Sequence, residues 1–262
     1  MPHAVFPAIF VSHGSPDLPL QPNAVTDFLK QLGHSLEKPT AILVVSAHWG
    51  TNRPTVSTAP EPRTVHDFSG FPAALYEITY AAPGAPALAS RVKELLIQAG
   101  VPVDVHPQRG LDHGAWVPLL LMYPNANIPV TQLSIQPNAD PAHHLAIGRA
   151  LEPLRHEGVL ILASGSATHN LWELGRYANQ ATPPDWVQQF SDWLDDAIAH
   201  NKTDDLLNYR QIAPYAERNH PTDEHLLPLF VAMGAGGEMG QGRSLHNSYT
   251  FGILSMASYA FS

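Results

Sequence analysis

Three apolar runs in this chain each end in a serine-containing segment that carries a histidine. Ala8-Ile9-Phe10-Val11 leads into Ser12-His13-Gly14-Ser15-Pro16, and Ala41-Ile42-Leu43-Val44-Val45 leads into Ser46-Ala47-His48-Trp49-Gly50. Val159-Leu160-Ile161-Leu162-Ala163 leads into Ser164-Gly165-Ser166-Ala167-Thr168-His169-Asn170. Imidazole changes its charge near neutral pH and, when neutral, is the commonest protein metal ligand. Histidines delivered to one place from distant strands would make a mononuclear metal site with a base beside it.

A fourth candidate lies in His220-Pro221-Thr222-Asp223-Glu224-His225-Leu226. Thr222 reads as a helix N-cap, with Asp223 and Glu224 suited to the positive helix end. His225 would then sit in the first turn, where the helix dipole keeps it neutral and able to bind metal. Glu224 is a rival ligand. Neighbouring helical residues point about 100° apart, which favours recruiting one of the two, and His225 is the better candidate.

Other chemistries are less well supported. Ser164-Gly165-Ser166 invites a serine nucleophile, but the pattern is not G-x-S-x-G and no Asp-then-His order follows it. The turn is equally able to form an anion nest of backbone N–H groups. Neither the His13 nor the His48 segment has the spaced glycines of a phosphate-binding motif. His113, in Leu111-Asp112-His113-Gly114-Ala115-Trp116, either contacts substrate or caps a short helix over Ala115–Met122. His66, in His66-Asp67-Phe68-Ser69-Gly70-Phe71-Pro72, belongs to a long loop and could line a pocket. For His3, His34, His106, His143, His144, His156, His200 and His246 the solvated or structural role is the default.

The elements that must position these groups follow from periodicity. Runs rich in Val, Ile and Leu predict strands at Ala8–Ser12, Ala41–Ser46, Val101–His106, Ile128–Ser134 and Val159–Ala163. Helical patterns at Asn23–Leu32, Pro86–Ala99 and Pro141–Arg155 lie between them, and Asp185–His200 reads as an amphipathic helix. Strands alternating with helices imply βαβ units, and ligands of such folds bind beyond the carboxyl ends of the strands. Gly50–Gly84 reads as an ordered loop over one end of the sheet, and Leu245–Ser262 as strands returning to it. The expected fold is α/β: a single domain over residues 1–262, with a central, mainly parallel mixed sheet flanked by helices.

Composition excludes several classes. The net charge of −9 and only 14 Lys+Arg among 262 residues leave no basic stripe for nucleic acid. The 15 histidines outnumber the lysines and arginines together, which suits imidazole as ligand and base. Cysteine is absent, so any metal takes nitrogen and oxygen ligands. Neither a signal peptide nor an apolar run of the ~20 residues a spanning helix needs is evident, so the expectation is a cytoplasmic protein with no membrane partner. Nothing in the sequence marks an interface patch or sets the oligomeric state.

At these motifs the chain resembles the LigB-like class III extradiol ring-cleavage dioxygenases, and within them the 4,5-DOPA dioxygenase group. The resemblance runs through Ser12–Pro16, Ser46–Trp49, His66–Pro72, Leu111–Leu119, Ser164–Asn170 and 219–227 in order. It implies a catechol such as L-DOPA opened with O₂ to a muconic semialdehyde. It assigns His13, His48 and His225 to the metal, His169 as acid/base, and His113 beside the substrate. One divalent ion per chain is implied, Fe(II) for ring cleavage, with Zn(II) expected as isolated. More distant class III enzymes use two histidines and a glutamate, and His225 fits the three-histidine version. The alternative activity is a zinc-dependent hydrolase on the same three histidines, with Glu224 the available carboxylate.

Overall fold

The computed structural model describes residues 5–178, 182–237 and 240–262. The ten strands among these described residues are β1 Ala8–Ser12, β2 Ala41–Gly50, β3 Thr55–Ser57, β4 Asp104–His106, β5 Val130–Ile135, β6 Val159–Gly165, β7 Gly242–His246, β8 Tyr249–Thr250, β9 Leu254–Ser255 and β10 Ser258–Phe261. Eight of them form one sheet in the order β4-β3-β5-β2-β6-β1-β10-β7. The central four, β5, β2, β6 and β1, are mutually parallel, so their carboxyl ends share one edge of the fold. β10 and β7 add antiparallel strands beside β1, as the returning C-terminal pattern leads one to expect.

The longer helices are α1 Ala24–Ser35, α2 Pro86–Gln98, α3 His113–Met122, α4 Pro141–Leu151, α5 Asp185–Ala199 and α6 Leu227–Ala235. Alternate residues of the central strands face opposite cores. Phe10, Leu43, Val45 and Ile161 pack with Leu88, Leu145, Phe190 and Leu229, whereas Ile9, Val11, Val44 and Leu162 pack with Val25, Leu29, Trp116 and Leu119. Strands buried on both faces explain the unbroken apolar runs. The molecule is thus a single α/β domain with a mainly parallel sheet covered on both sides.

Several boundaries differ from the sequence expectation. β2 runs on through Trp49, so His48 lies on the strand and not in a turn after it. The register of β2 against β5 shifts between Ser46 and Gly50, and such a bulge re-aims a side chain at a strand end. The Pro141–Arg155 pattern splits: α4 ends at Leu151 and a 3₁₀ segment, Glu152–Glu157, follows. The strand expected over Val101–His106 is shortened to three exposed edge residues. His3 lies outside the described residues.

The segment around His225 is also different. Thr222 does not cap a helix; 221–226 is a turn, and α6 begins at Leu227. Thr222 Oγ1 instead donates to Glu224 Oε1 at 3.0 Å, and Asp223 accepts from Tyr209 Oη at 2.7 Å and from Arg210. The helix that follows begins at Leu227 with Pro228 as its second residue, a position that tolerates the missing N–H.

Candidate metal centre

His13, His48, His113, His169 and His225 all line one cavity of about 460 Å³ at the carboxyl edge of the parallel strands. His13 follows β1, whose neighbour Ser12 ties the edge together by donating to Ala257 O at 2.8 Å and accepting from Ala167 N at 3.0 Å. His113 opens α3, capped by Asp112, whose carboxylate accepts from Ala115 N at 3.2 Å. His113 therefore does not act as the cap. His169 N donates to Asn219 O at 2.9 Å, and Ser166 N donates to His225 O at 2.9 Å, so the β6 turn and the His225 turn are stitched together. Gly165 permits this approach: a Cβ there would run into the His225 carbonyl oxygen.

The imidazole tips converge. His48 Nε2 lies 3.1 Å from His13 Nε2 and 3.2 Å from His225 Nε2. Each ring is turned by a partner at its other nitrogen. Pro118 cannot supply the helical N–H that Gly114 O would take, and the Ser164 hydroxyl donates to that carbonyl instead. With its proton so committed, Ser164 Oγ accepts from His13 Nδ1 at 3.0 Å. His225 Nδ1 donates to Glu224 Oε1 at 3.0 Å. His48 Nδ1 faces Asp67 Oδ2 at 3.5 Å, and His113 Nδ1 donates to Asp67 Oδ1 at 3.0 Å. Protons on Nδ1 leave lone pairs on Nε2, and lone pairs gathered around His48 in this way suit a shared cation.

The spacing fits one. Ligands at ~2.0–2.1 Å from a tetrahedral ion are about 3.3 Å apart, close to the observed edges. Among the described residues two trios have ligand atoms within 4.8 Å of one another, His13–His48–His113 and His169–Glu224–His225. The short His48–His225 edge joins them into one cluster. Within it, Glu224 is turned to the outer nitrogen of His225, which makes it an orienting partner of the kind metal-bound histidines commonly have.

Electrostatics favour the neutral, ligating form. Burial, and then the neighbouring imidazoles, hold His13 and His225 well below the usual histidine range. Burial likewise takes His48 and His169 down to about 4. This corrects the expected cause at His225, where no helix start supplies a dipole. Asp67 runs the other way. Burial pushes its carboxyl up, but the hydrogen bond from His113 and the adjacent imidazoles outweigh that and bring it down to about 2.

His169 stacks on His225, ring centroids 3.4 Å apart and planes 12° apart. His113 stands on the other side, 3.9 Å from the His48 ring. Phe68, Phe71, Leu171, Leu174 and Phe251 complete a largely apolar wall suited to a flat ring. Ser164 and Ser166 are no nucleophiles: their hydroxyls are spent on Gly114 O and Thr168 O. His66 does not reach the cluster; its Nε2 donates to Ile78 O at 3.0 Å.

Sequence reasoning missed Asp67 and Asp112. Asp112 is fully buried and accepts from Ser46 Oγ at 2.6 Å, Arg109 Nη2 at 2.7 Å and Gln132 Nε2 at 2.9 Å, bracing β2 below His48. Asp112 stood beside His113 in the motif, and its N-cap position was the available signal.

This cavity, with its imidazole cluster at the ends of parallel strands, defines an α/β protein with a candidate metal centre. The model for the catalytic LigB subunit of aromatic ring-opening dioxygenases matches residues 2–262, and the chain belongs to that family. It is 44% identical over 262 residues to a 4,5-DOPA dioxygenase extradiol of Beta vulgaris, covering 96% of this chain and 95% of the relative. A 4,5-DOPA dioxygenase extradiol of Escherichia coli K12 is 42% identical over 233 residues, covering 87% and 84%. The crystal structure of an uncharacterized Escherichia coli K12 protein superposes with a TM-score of 0.80 at 34% identity, covering 98% of this chain and 99% of that one. Among the described residues no helix is long and apolar enough to cross a membrane.

Proposed function

We propose that this chain opens the ring of a catechol such as L-DOPA with O₂, beside the two hydroxyls, to a muconic semialdehyde, and that it works in the cytoplasm. The observation that carries this reading is the convergence of His13, His48 and His225 at Nε2 edges of 3.1 and 3.2 Å, with His169 and His113 flanking them. Those three histidines would hold one divalent ion per chain. Ferrous iron supplies an electron route from catecholate to O₂, which redox-inert zinc cannot, so Fe(II) is the working metal even where zinc is found on isolation.

The remaining chemistry falls to side chains. The apolar wall holds the aromatic ring and excludes bulk water. His169, kept neutral by burial, accepts the proton of one catechol hydroxyl and returns a proton later in the cycle. His113, its Nδ1 proton given to Asp67, directs Nε2 at the substrate oxygens. For the hydrolase alternative the one carboxylate at hand is already engaged, since Glu224 Oε1 accepts from His225 and Thr222. Turnover of L-DOPA under labelled O₂ tests the proposal: both labelled atoms in one ring-opened product support it, and label-free or merely hydrolysed products refute it.

A further inference from the structure

The cavity that contains the histidines has walls of one electrostatic sign. Among the described residues lining it, Asp17 alone is a carboxylate and none is a lysine or arginine. None of the residues outside the described ones is a lysine or arginine either. Arg109 is held over the Trp49 ring and bonded to Asp112, and Arg218 is clamped to Glu173 at 2.7 and 2.8 Å. Arg176, two residues beyond the lining Leu174, points to solvent and pairs with the same Glu173.

Asp17 sits just past the β1 turn, on the lip formed by Ser15 and Pro16. Its Oδ2 accepts from Gln21 Nε2 at 2.6 Å. Its Oδ1 is buried and has no hydrogen-bond partner among the described residues. The carboxylate thus keeps one oxygen unpaired, while the residue itself stands half-buried on the lip.

Resting on the catechol reading above, we infer that Asp17 is the subsite for a positively charged ammonium on the arm of the catechol, and that the cavity selects catechol amines over catechol carboxylates. The ring lies among the histidines and phenylalanines, and the arm runs out toward the lip. An ammonium there meets the Asp17 carboxylate. A carboxylate there meets a like charge, with no lysine or arginine on the wall. L-DOPA carries both groups: its ammonium binds and its carboxylate stays in solvent.

Three probes with the same ring and arm separate the terms: 2-(3,4-dihydroxyphenyl)ethylamine, 4-propylcatechol and 3-(3,4-dihydroxyphenyl)propionate. Their anaerobic dissociation constants are measured by difference spectroscopy on the metal-loaded protein, and their kcat/KM values by O₂ uptake. The expected order is amine, propyl, carboxylate, with roughly tenfold between the first and last in affinity. In Asp17→Asn and Asp17→Ala, each checked for an unchanged thermal midpoint, that ratio falls to about one. A carboxylate probe that binds as well as the amine, or a ratio unchanged in both variants, overturns the assignment. Ring opening of all three probes without discrimination would overturn the subsite alone. Opening of none would remove the catechol reading and the subsite with it.

Discussion

Replacing Asp67 with asparagine should weaken metal binding without unfolding the protein. Asp67 Oδ1 accepts from both the backbone N and Nδ1 of His113, each at 3.0 Å, and Oδ2 faces His48 Nδ1 at 3.5 Å. Asparagine keeps an acceptor for His113 but turns an NH₂ group toward His48 Nδ1. That arrangement favours the His48 tautomer with its proton on Nε2, the atom that must face the cation. The drop of the Asp67 carboxyl from 3.8 to about 2 marks a preference for the charged form on the order of 2 kcal/mol. Forfeiting most of it corresponds to a loss of about 10–100-fold, the range seen when outer partners of metal-bound histidines are removed. Competition with a chromophoric chelator measures the affinity, and circular dichroism checks the fold. Wild-type affinity in Asp67→Asn would refute the reasoning that Nδ1 anchoring presents the ligand lone pairs.

Three further outcomes are expected. His169→Ala should retain one metal ion per chain by elemental analysis while losing ring opening; an undiminished rate would remove His169 from the proton-transfer role. Gly165→Ala should cost roughly 1–3 kcal/mol in urea unfolding and lower metal affinity as well, because its methyl displaces the His225 carbonyl; unchanged stability and affinity would contradict the close approach. His144 is buried, accepts from Gln136 N at 3.1 Å, donates to Asp140 O at 2.9 Å, and is pushed by burial down to about 4. Below its ordinary 6.5 the unfolded chain takes a proton that the folded chain refuses, so stability falls between pH 6.5 and about 4 by up to ~3 kcal/mol. His144→Gln should flatten that part of the pH profile relative to wild type, and parallel profiles would refute the assignment.

Much of the site could be read from the sequence because its histidines stand at the ends of Val/Ile/Leu runs, and a parallel sheet gathers such ends at one edge. His13 and His169 follow their strands in that way. His48 was legible as a site residue but not as a strand residue, since a bulge leaves no periodic mark. The turn before α6 looked like a capped helix because Thr222, Asp223 and Glu224 are good first-turn residues; in the fold they serve Tyr209, Arg210 and His225 instead. Asp67 was hidden for a different reason. It lies 46 residues from His113 in a Pro- and Gly-rich loop without period, and its pairing exists only once the loop is folded over the sheet edge. Likewise Pro118, which frees Gly114 O for Ser164, reads locally as a mere helix flaw.

An anaerobic metal exchange tests the central claim most directly. The stripped protein is reloaded with Fe(II) or with Zn(II), given L-DOPA, and then exposed to air while O₂ uptake and yellow absorbance are followed together. The three-histidine account predicts uptake with a yellow ring-opened product in the Fe(II) sample and neither in the Zn(II) sample. Equal turnover with zinc, or silence with both metals across several catechols, would contradict it.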